Sequence, residues 1–271
     1  MGLRVNTNIF SMTAQRNLSE VSSRLQGNFA RLSSGLRIAT AADDAAGLVI
    51  SERMRAQIRS FGAASRNAQD GISLAQTAEG ALNEVSGNLT RMRELAVQAS
   101  NGTLSTADRA TLDVEFQALV SEIDRIATST QFNGISLLDN TNAIDIQVGI
   151  DSGDTISITN VDTQQATLGL SGAGVTTSTN AGSALALLDT AITSVNDARG
   201  SLGAMQNRLQ SAFRSILNTR ENLSAAESRI RDVDVAFETA DLTRNSIMQQ
   251  AAVSVLAQAN VQPQLALNLL G

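Results

Sequence analysis

Residues 202–233, LGAMQNRLQSAFRSILNTRENLSAAESRIRDV, carry the pattern that decides the fold. Leu202, Met205, Leu209, Ala212, Ile216, Thr219, Leu223, Ala226, Ile230 and Val233 follow one another at alternating steps of three and four. An apolar period of 3.5 puts these side chains in one narrow stripe along a helix, and such a stripe packs against a second helix. The first hundred residues supply that partner. Met54, Ile58, Phe61, Ser65, Ala68, Ile72 and Ala75 alternate four and three, and Leu82, Val85, Leu89, Met92 and Ala96 continue after a shift of the stammer type. No proline interrupts the run, so it predicts one helix over about 44–99, roughly 80 Å long at 1.5 Å per residue. Ser100-Asn101-Gly102 is a reasonable stop, because Asn or Gly can take the left-handed position past a helix end. Met54, Ile58, Ile72 and Leu89 are expected to face Leu202, Leu209, Ile216, Leu223 and Ile230 across a bundle seam.

Shorter helices surround this pair. Ala14, Leu18, Val21, Leu25, Asn28 and Leu32 form a seam with one polar position, a device that often sets register. Ser105 with Asp108 resembles a capping box that starts a helix carrying Leu112, Phe116, Leu119, Ile123 and Ile126 and ending near Phe132-Asn133-Gly134. Ile144, Ile146, Val148 and Ile150 then alternate with polar residues, as do Ile156 and Ile158, around Asp151-Ser152-Gly153-Asp154; this predicts a β-hairpin. Residues 171–183, SGAGVTTSTNAGS, are small, polar and without period, hence an expected exposed loop. A last Ala-rich helix is expected over roughly 237–260, with a kink or restart at Pro263 and a closing run of Leu265, Leu267, Leu269 and Leu270. The predicted class is mainly α: a long antiparallel coiled-coil bundle with a small β-hairpin region.

Composition narrows the function. Aromatics are 3%, all Phe, which suits extended Ala- and Leu-rich helices better than a compact aromatic core. The chain has no Cys and no His, and all 20 of its basic residues are Arg. It therefore lacks the usual general base, thiol nucleophile and Schiff-base amine, and an enzyme is not expected. No cofactor or metal site is predicted either: Asp43-Asp44 reads as helix N-terminal charge, and the acidic turn at 151–154 lacks the spacing of a calcium loop. Residues 101–198 carry 12 acids against 2 Arg, while the flanking parts are near neutral. An acidic middle argues against nucleic acid as a partner. No apolar stretch reaches the roughly 20 residues of a membrane span. The N-terminus shows no secretory h-region, and Asn6 stands where a myristoylation motif wants Ser or Thr.

The two terminal helices raise the question of assembly. Each has apolar residues beyond what a central bundle needs, and apolar area left in water costs about 25 cal/mol per Å². Either both ends fold back onto the core of a monomer, or they are buried between subunits. Identical subunits in head-to-tail contact without closure form open helical filaments.

Several long segments resemble the flagellin family. MGLRVNTNIFSMTAQRNLSE at the start, LSSGLRIATAADDAAGLVISERMRAQIR, ASRNAQDGISLAQTAEGALNEV and MRELAVQASNGT are similar to flagellin N-terminal motifs, and LSAAESRIRDVDVAFETADLTRNSIMQQAAVSVLAQAN to the C-terminal signature. The resemblance covers residues 1–140 and 190–271. It implies a secreted, extracellular subunit of the bacterial flagellum filament, present in many copies and used for swimming. It implies terminal helices paired in an inner coiled coil. We expect Leu18, Val21 and Leu25 to meet Ile247, Met248 and Val255 in the filament's inner tube, with Leu32 and Leu256 in the same packing. The implied domains are 1–43 with 235–271 (inner helices), 44–170 with 184–234 (bundle and hairpin), and 171–183 as the site where outer domains are inserted in longer members. Export through the flagellum's own type III apparatus is implied, with an export chaperone, filament cap and hook-junction proteins as partners and no membrane insertion. The segment LTRMRELAVQ matches the family's patch for the animal Toll-like receptor, placing Arg91, Leu95 and Glu115 on a surface also used between subunits. The competing readings are a hook–filament junction protein and a helical secretion-system tip protein; the RMRELAVQ patch and the full terminal signatures favour a flagellin proper.

Overall fold

In a computed structural model, which describes residues 7–268, five helices and two antiparallel strand pairs follow one another as α1 (Ile9–Ser34), α2 (Ala45–Ser100), α3 (Thr106–Ser129), β1 (Gln131–Phe132), β2 (Ile135–Ser136), β3 (Ala143–Gln147), β4 (Thr155–Thr159), α4 (Ser178–Arg231) and α5 (Val235–Asn268). Met1, Gly2, Asn6, Leu269, Leu270 and Gly271 lie outside the described residues, as do the side chains of Leu265 and Leu267. The chain divides into two compact units, one of residues 1–56 and 222–271, the other of residues 57–221. These boundaries fall inside α2 and α4. The connectors are tied to the helix ends beside them: Leu36 bridges to Asp232, Arg37 N–H donates to the Arg231 carbonyl (2.7 Å) and Val233 N–H to the Gly35 carbonyl (3.0 Å).

In the first unit, α1 begins at Asn8, whose side-chain oxygen accepts from Ser11 N–H (3.1 Å), and ends at Gly35 in the left-handed conformation (φ 71°). α1 and α5 run antiparallel along each other. The predicted restart at Pro263 is not seen: the helix runs on to Asn268. Proline has no amide hydrogen to give the carbonyl four residues back, which is that of Ala259. The Asn8 side-chain amide donates to that carbonyl instead, at 2.7 Å. Asn8 thus caps one helix and completes the backbone bonding of the other. Asp43 and Asp44 close the entry to α2. Asp44 accepts from Gly47 N–H (2.9 Å), and Asp43 accepts from the Thr40 N–H and hydroxyl (both 2.9 Å).

The second unit holds most of the core. On α2 the buried side chains Ala68, Ile72, Ala75, Ala78, Leu82, Val85, Leu89, Met92, Ala96 and Ala99 keep the heptad rhythm, with the three-residue shift at Ala78. α3 carries the predicted capping box at Ser105 and Asp108 and buries Phe116, Val120, Ile123 and Ala127. Carbonyls at and just past the end of α2 are satisfied from other elements: Arg109 donates to Ala99 and Asn101 (both 2.8 Å), and the Ser178 hydroxyl to Ser100 (3.0 Å). β3 and β4 form the predicted hairpin, with Ile144 opposite Ile158 and Ile146 opposite Ile156. Gly71 lets this hairpin in: a Cβ there would lie 3.1 Å from Ile146 and 3.3 Å from Leu209.

Two expectations need correction here. Residues 171–183 are not one exposed loop. Ala173, Val175 and Ala181 are buried, Gln117 donates to the Ala173 carbonyl and Asp113 accepts from Val175 N–H, and α4 starts at Ser178. The heptad of α4 begins well before Leu202, at Ala181, Ala184, Leu188, Ala191, Val195 and Ala198, all buried. The helix ending expected at 132–134 is instead the turn of a second hairpin, β1–β2. Asn133 (φ 49°) and Gly134 (φ 78°) take the paired positive dihedrals of a two-residue hairpin turn.

Candidate assembly interface

The surfaces open to a second copy arise from how the helices distribute apolar residues. α1 buries Ala14, Leu25 and Asn28 toward α5, with Leu18, Val21 and Leu32 half-buried. On α5 the residues turned toward α1 follow steps of four and three: Glu238, Leu242, Asn245, Gln249, Ala252, Leu256 and Ala259 are buried or half-buried. Met248 is half-buried beside them. Ile247 and Val255, expected in the inner-tube packing, are 61% and 59% exposed. They sit one or two positions off the inward stripe, on a helix whose apolar residues are not gathered on one side. Val235, Phe237, Val253 and Val261 are exposed with them, as are Ile9, Phe10, Met12 and Phe29 on α1. The paired terminal helices therefore carry apolar side chains on their outward faces.

The expected bundle seam is graded. Ile72, Leu89, Leu202, Leu209 and Ile216, in the second unit, are buried. Ile58 in that unit, and Met54, Leu223 and Ile230 in the first unit, are half-buried. In the first unit, charge supplements the thinner apolar contact: Arg231, itself buried, donates to Glu52, and Arg55 lies between Glu52 (3.4 Å) and Glu227 (3.7 Å).

The residues of the expected receptor patch differ in exposure. Arg91 and Glu115 are exposed and paired across α2 and α3 at 2.8 Å, with Glu94 on the same guanidinium at 3.0 Å. Leu95 is only 1% exposed. It belongs to the core because it neighbours Ala96 on the stripe that also buries Met92 and Ala99. What lies open beside the ion pair is Val114, on α3. Sequence pattern missed it because an isolated valine beside a heptad carries no signal.

Electrostatics are simple. Glu115 and Glu94 hold the Arg91 guanidinium above the usual arginine value, and Asp189 does the same for Arg93. Four carboxylates are held below their ordinary values: Asp43 by the Thr40 N–H, Glu52 by Arg231, Asp108 by the Ser105 hydroxyl and Glu122 by Arg125. A depressed carboxylate contributes stability above its unfolded value, about 4, and loses it as pH falls through the folded value. With no His, Cys, Tyr or Lys, no side-chain type present normally titrates between about 5 and 12. The melting temperature is therefore expected to fall as the pH drops below about 4 and to stay level from about pH 6 to 11. Thermal circular dichroism across that range checks it, and a drift of more than about 3 °C between pH 6 and 10 contradicts the expectation.

Among the described residues no group of three or more acidic side chains could hold a metal ion, and no helix is long and apolar enough to cross a membrane. Comparison with known proteins matches residues 5–143 to the bacterial flagellin N-terminal helical region and residues 185–270 to the bacterial flagellin C-terminal helical region. A flagellin of Halalkalibacterium halodurans is 52% identical over 98% of this chain and 99% of its own length. A flagellar filament 30.7 kDa core protein of Treponema maltophilum is 43% identical over 98% and 99%. The solved structure of a Bacillus cereus flagellin superposes with a TM-score of 0.51 at 38% identity, covering 60% of this chain and 94% of that one.

Proposed function

We propose, from the premise that this chain belongs to the bacterial flagellin family, the following account of its work. The protein is a structural subunit that self-assembles into the helical flagellar filament used for swimming. A hook–filament junction or secretion-tip role is not favoured over this, given the identity to flagellins along nearly the whole chain. The observation that carries the mechanism is the outward apolar face of the paired terminal helices. Ile247 and Val255, with Phe10, Phe29 and Phe237, supply the contact between neighbouring copies in the inner tube, while Leu18, Val21, Leu25, Leu32, Met248 and Leu256 hold α1 to α5 within one copy. The domain reading is kept as a proposal: inner helices at the two ends, a bundle with its hairpin in the middle.

The finer roles rest on the family. The chain works outside the cell, after export by the flagellar type III route with a chaperone, and is placed between hook-junction proteins and a cap. It catalyses no reaction. Toward the animal Toll-like receptor, Arg91 and Glu115 offer exposed charge; Leu95 acts from beneath, by supporting the α2 surface on which Arg91 stands.

The test compares the full chain with a form lacking residues 1–40 and 236–271, each offered to short filament seeds. Long filaments from the full chain, and a soluble helical monomer from the shortened one, are expected in sedimentation and negative-stain images. Growth of filaments from the shortened form would overturn the mechanism, and a full chain that refuses every seed would overturn the function.

A further inference from the structure

The α1–α5 pair contains a buried polar chain that its apolar residues cannot replace. Asn245 donates to the Asn28 side-chain oxygen (2.9 Å), and Asn28 donates to Glu238 (2.7 Å). Arg31 Nε donates to the same Glu238 oxygen at 2.8 Å, and Nη2 of the same guanidinium forms an ion pair with it at 2.8 Å. Asn28, Asn245 and Glu238 are all buried; Arg31 is half-buried, its guanidinium reaching in from the edge. Each of these bonds crosses from one helix to the other.

We infer that Asn28, Asn245, Glu238 and Arg31 are the specificity-determining residues of the terminal coiled coil: they fix the register of α5 on α1 and select which face of α5 turns inward. The reading rests on the assembly role proposed above and adds what governs it. The apolar part of the seam is poorly discriminating. Its buried members are Ala14, Leu25 and Ala259, and small or generic residues recur at every turn of α5, so a slide of seven residues brings Ala or Leu against Ala or Leu. The outward face of α5 is as apolar as the inward one, so hydrophobicity does not choose between them. The polar chain does. A slide of one heptad that brings Asn28 opposite Ala252 strips Glu238 of both its partners, Asn28 and Arg31, and turning Ile247 inward does the same. A buried carboxylate without donors is strongly disfavoured, while single polar positions in coiled coils are known to fix register at some loss of stability.

The absence of Cys allows register to be read directly. The Gln249 side-chain amide reaches the Ser22 hydroxyl at 3.5 Å in the observed pairing, which places the two positions across the seam from each other, so Ser22→Cys with Gln249→Cys reports that register, and Ser22→Cys with Leu256→Cys reports a slide of one heptad. Both pairs are placed in the full chain, alone and with Asn28→Leu, Asn245→Leu and Glu238→Leu together, and oxidised as monomer and as seeded filament. Products that stay at monomer size are intrachain. With the polar chain intact, the in-register product is expected to dominate by at least tenfold. With it replaced by Leu, helicity is expected to persist while the two products approach equal amounts and seeded growth shortens. Retention of the in-register product at its original share in the Leu background would overturn the inference. So would loss of helical pairing there, because the polar groups would then serve stability and not register. The single change Glu238→Gln keeps an acceptor for Asn28, and a slipped fraction between the two extremes is expected; none at all would count against the inference. Failure of the native chain to grow on seeds, with the monomer crosslinks as expected, would count against the assembly reading and leave the register assignment standing.

Discussion

Phe116→Ala is expected to destabilise the unit of residues 57–221 by about 3–5 kcal/mol, lowering its melting temperature by roughly 6–20 °C. The ring is fully buried and belongs to the same core cluster as Leu82, Leu89, Met92, Leu95, Ile123 and Leu188, contributed by α2, α3 and α4. Much of that cluster is alanine: Ala75, Ala78, Ala96, Ala99, Ala127, Ala181, Ala184 and Ala191 all take part. Alanine has no rotamer with which to fill a neighbour's void, and long helices shift as rigid rods, so the cavity left by the ring cannot collapse. That places the loss in the upper half of the range. Val114→Ala, two positions away on the same helix but 73% exposed, should change stability by less than about 0.5 kcal/mol. Calorimetric melting of the three proteins checks both, and a Phe116→Ala loss below about 1 kcal/mol would show that the helices do close on the gap.

Gly47→Val is expected to destabilise the unit of residues 1–56 and 222–271 by about 2–4 kcal/mol, combining loss of a cap with overpacking. A Cβ on residue 47 would stand 2.5 Å from an Asp44 carboxylate oxygen and 2.8 Å from the tip of Ile38. Asp44 is there to accept the Gly47 N–H and close the first turn of α2, and Ile38 is itself buried. Both neighbours would have to leave the positions that hold the connector against the helix. Gly80→Ala makes the contrast. It lies mid-helix on α2 with no atom within 4 Å of where its Cβ would go, and should raise stability by about 0.5–1 kcal/mol, the ordinary helix penalty of glycine being removed. Denaturant melts that gave the two substitutions the same sign would refute the packing seen at Gly47.

Particular residues explain how far the sequence could be read. α2 was legible end to end because Ile72, Leu82, Leu89 and Met92 stand out from their polar neighbours at a fixed period. The first half of α4 was not, because its stripe is Ala181, Ala184, Ala191 and Ala198, and alanine is unremarkable in a chain this rich in it. The β1–β2 hairpin carried its strongest cue, Asn133-Gly134, but strands of two residues leave no alternation to read. The hairpin of β3 and β4, with five residues in each strand, was plain. At the terminal pair the helices and their partnership were legible, whereas the inward face of α5 was not. Ile247 and Val255 looked like seam residues because apolar patterning assumes that the apolar side faces the partner, and here Glu238 and Asn245 do. Leu95, matched together with Arg91 and Glu115, is buried while they are exposed. A motif match fixes a residue's name and position but not which way it points.

The bond from Asn8 to the Ala259 carbonyl has a consequence for anyone recombining such proteins. The two ends of this chain, some 250 residues apart in sequence, form one inherited part: the amide of one end stands in for the hydrogen that Pro263 withholds at the other. A hybrid that takes its first ten residues from a donor without a side-chain amide at position 8, and keeps the native tail, leaves that carbonyl without its donor in the middle of α5. The graft becomes tolerable once Pro263 gives way to a residue with an N–H of its own. Head and tail have to be exchanged together, or the mismatch repaired at position 263.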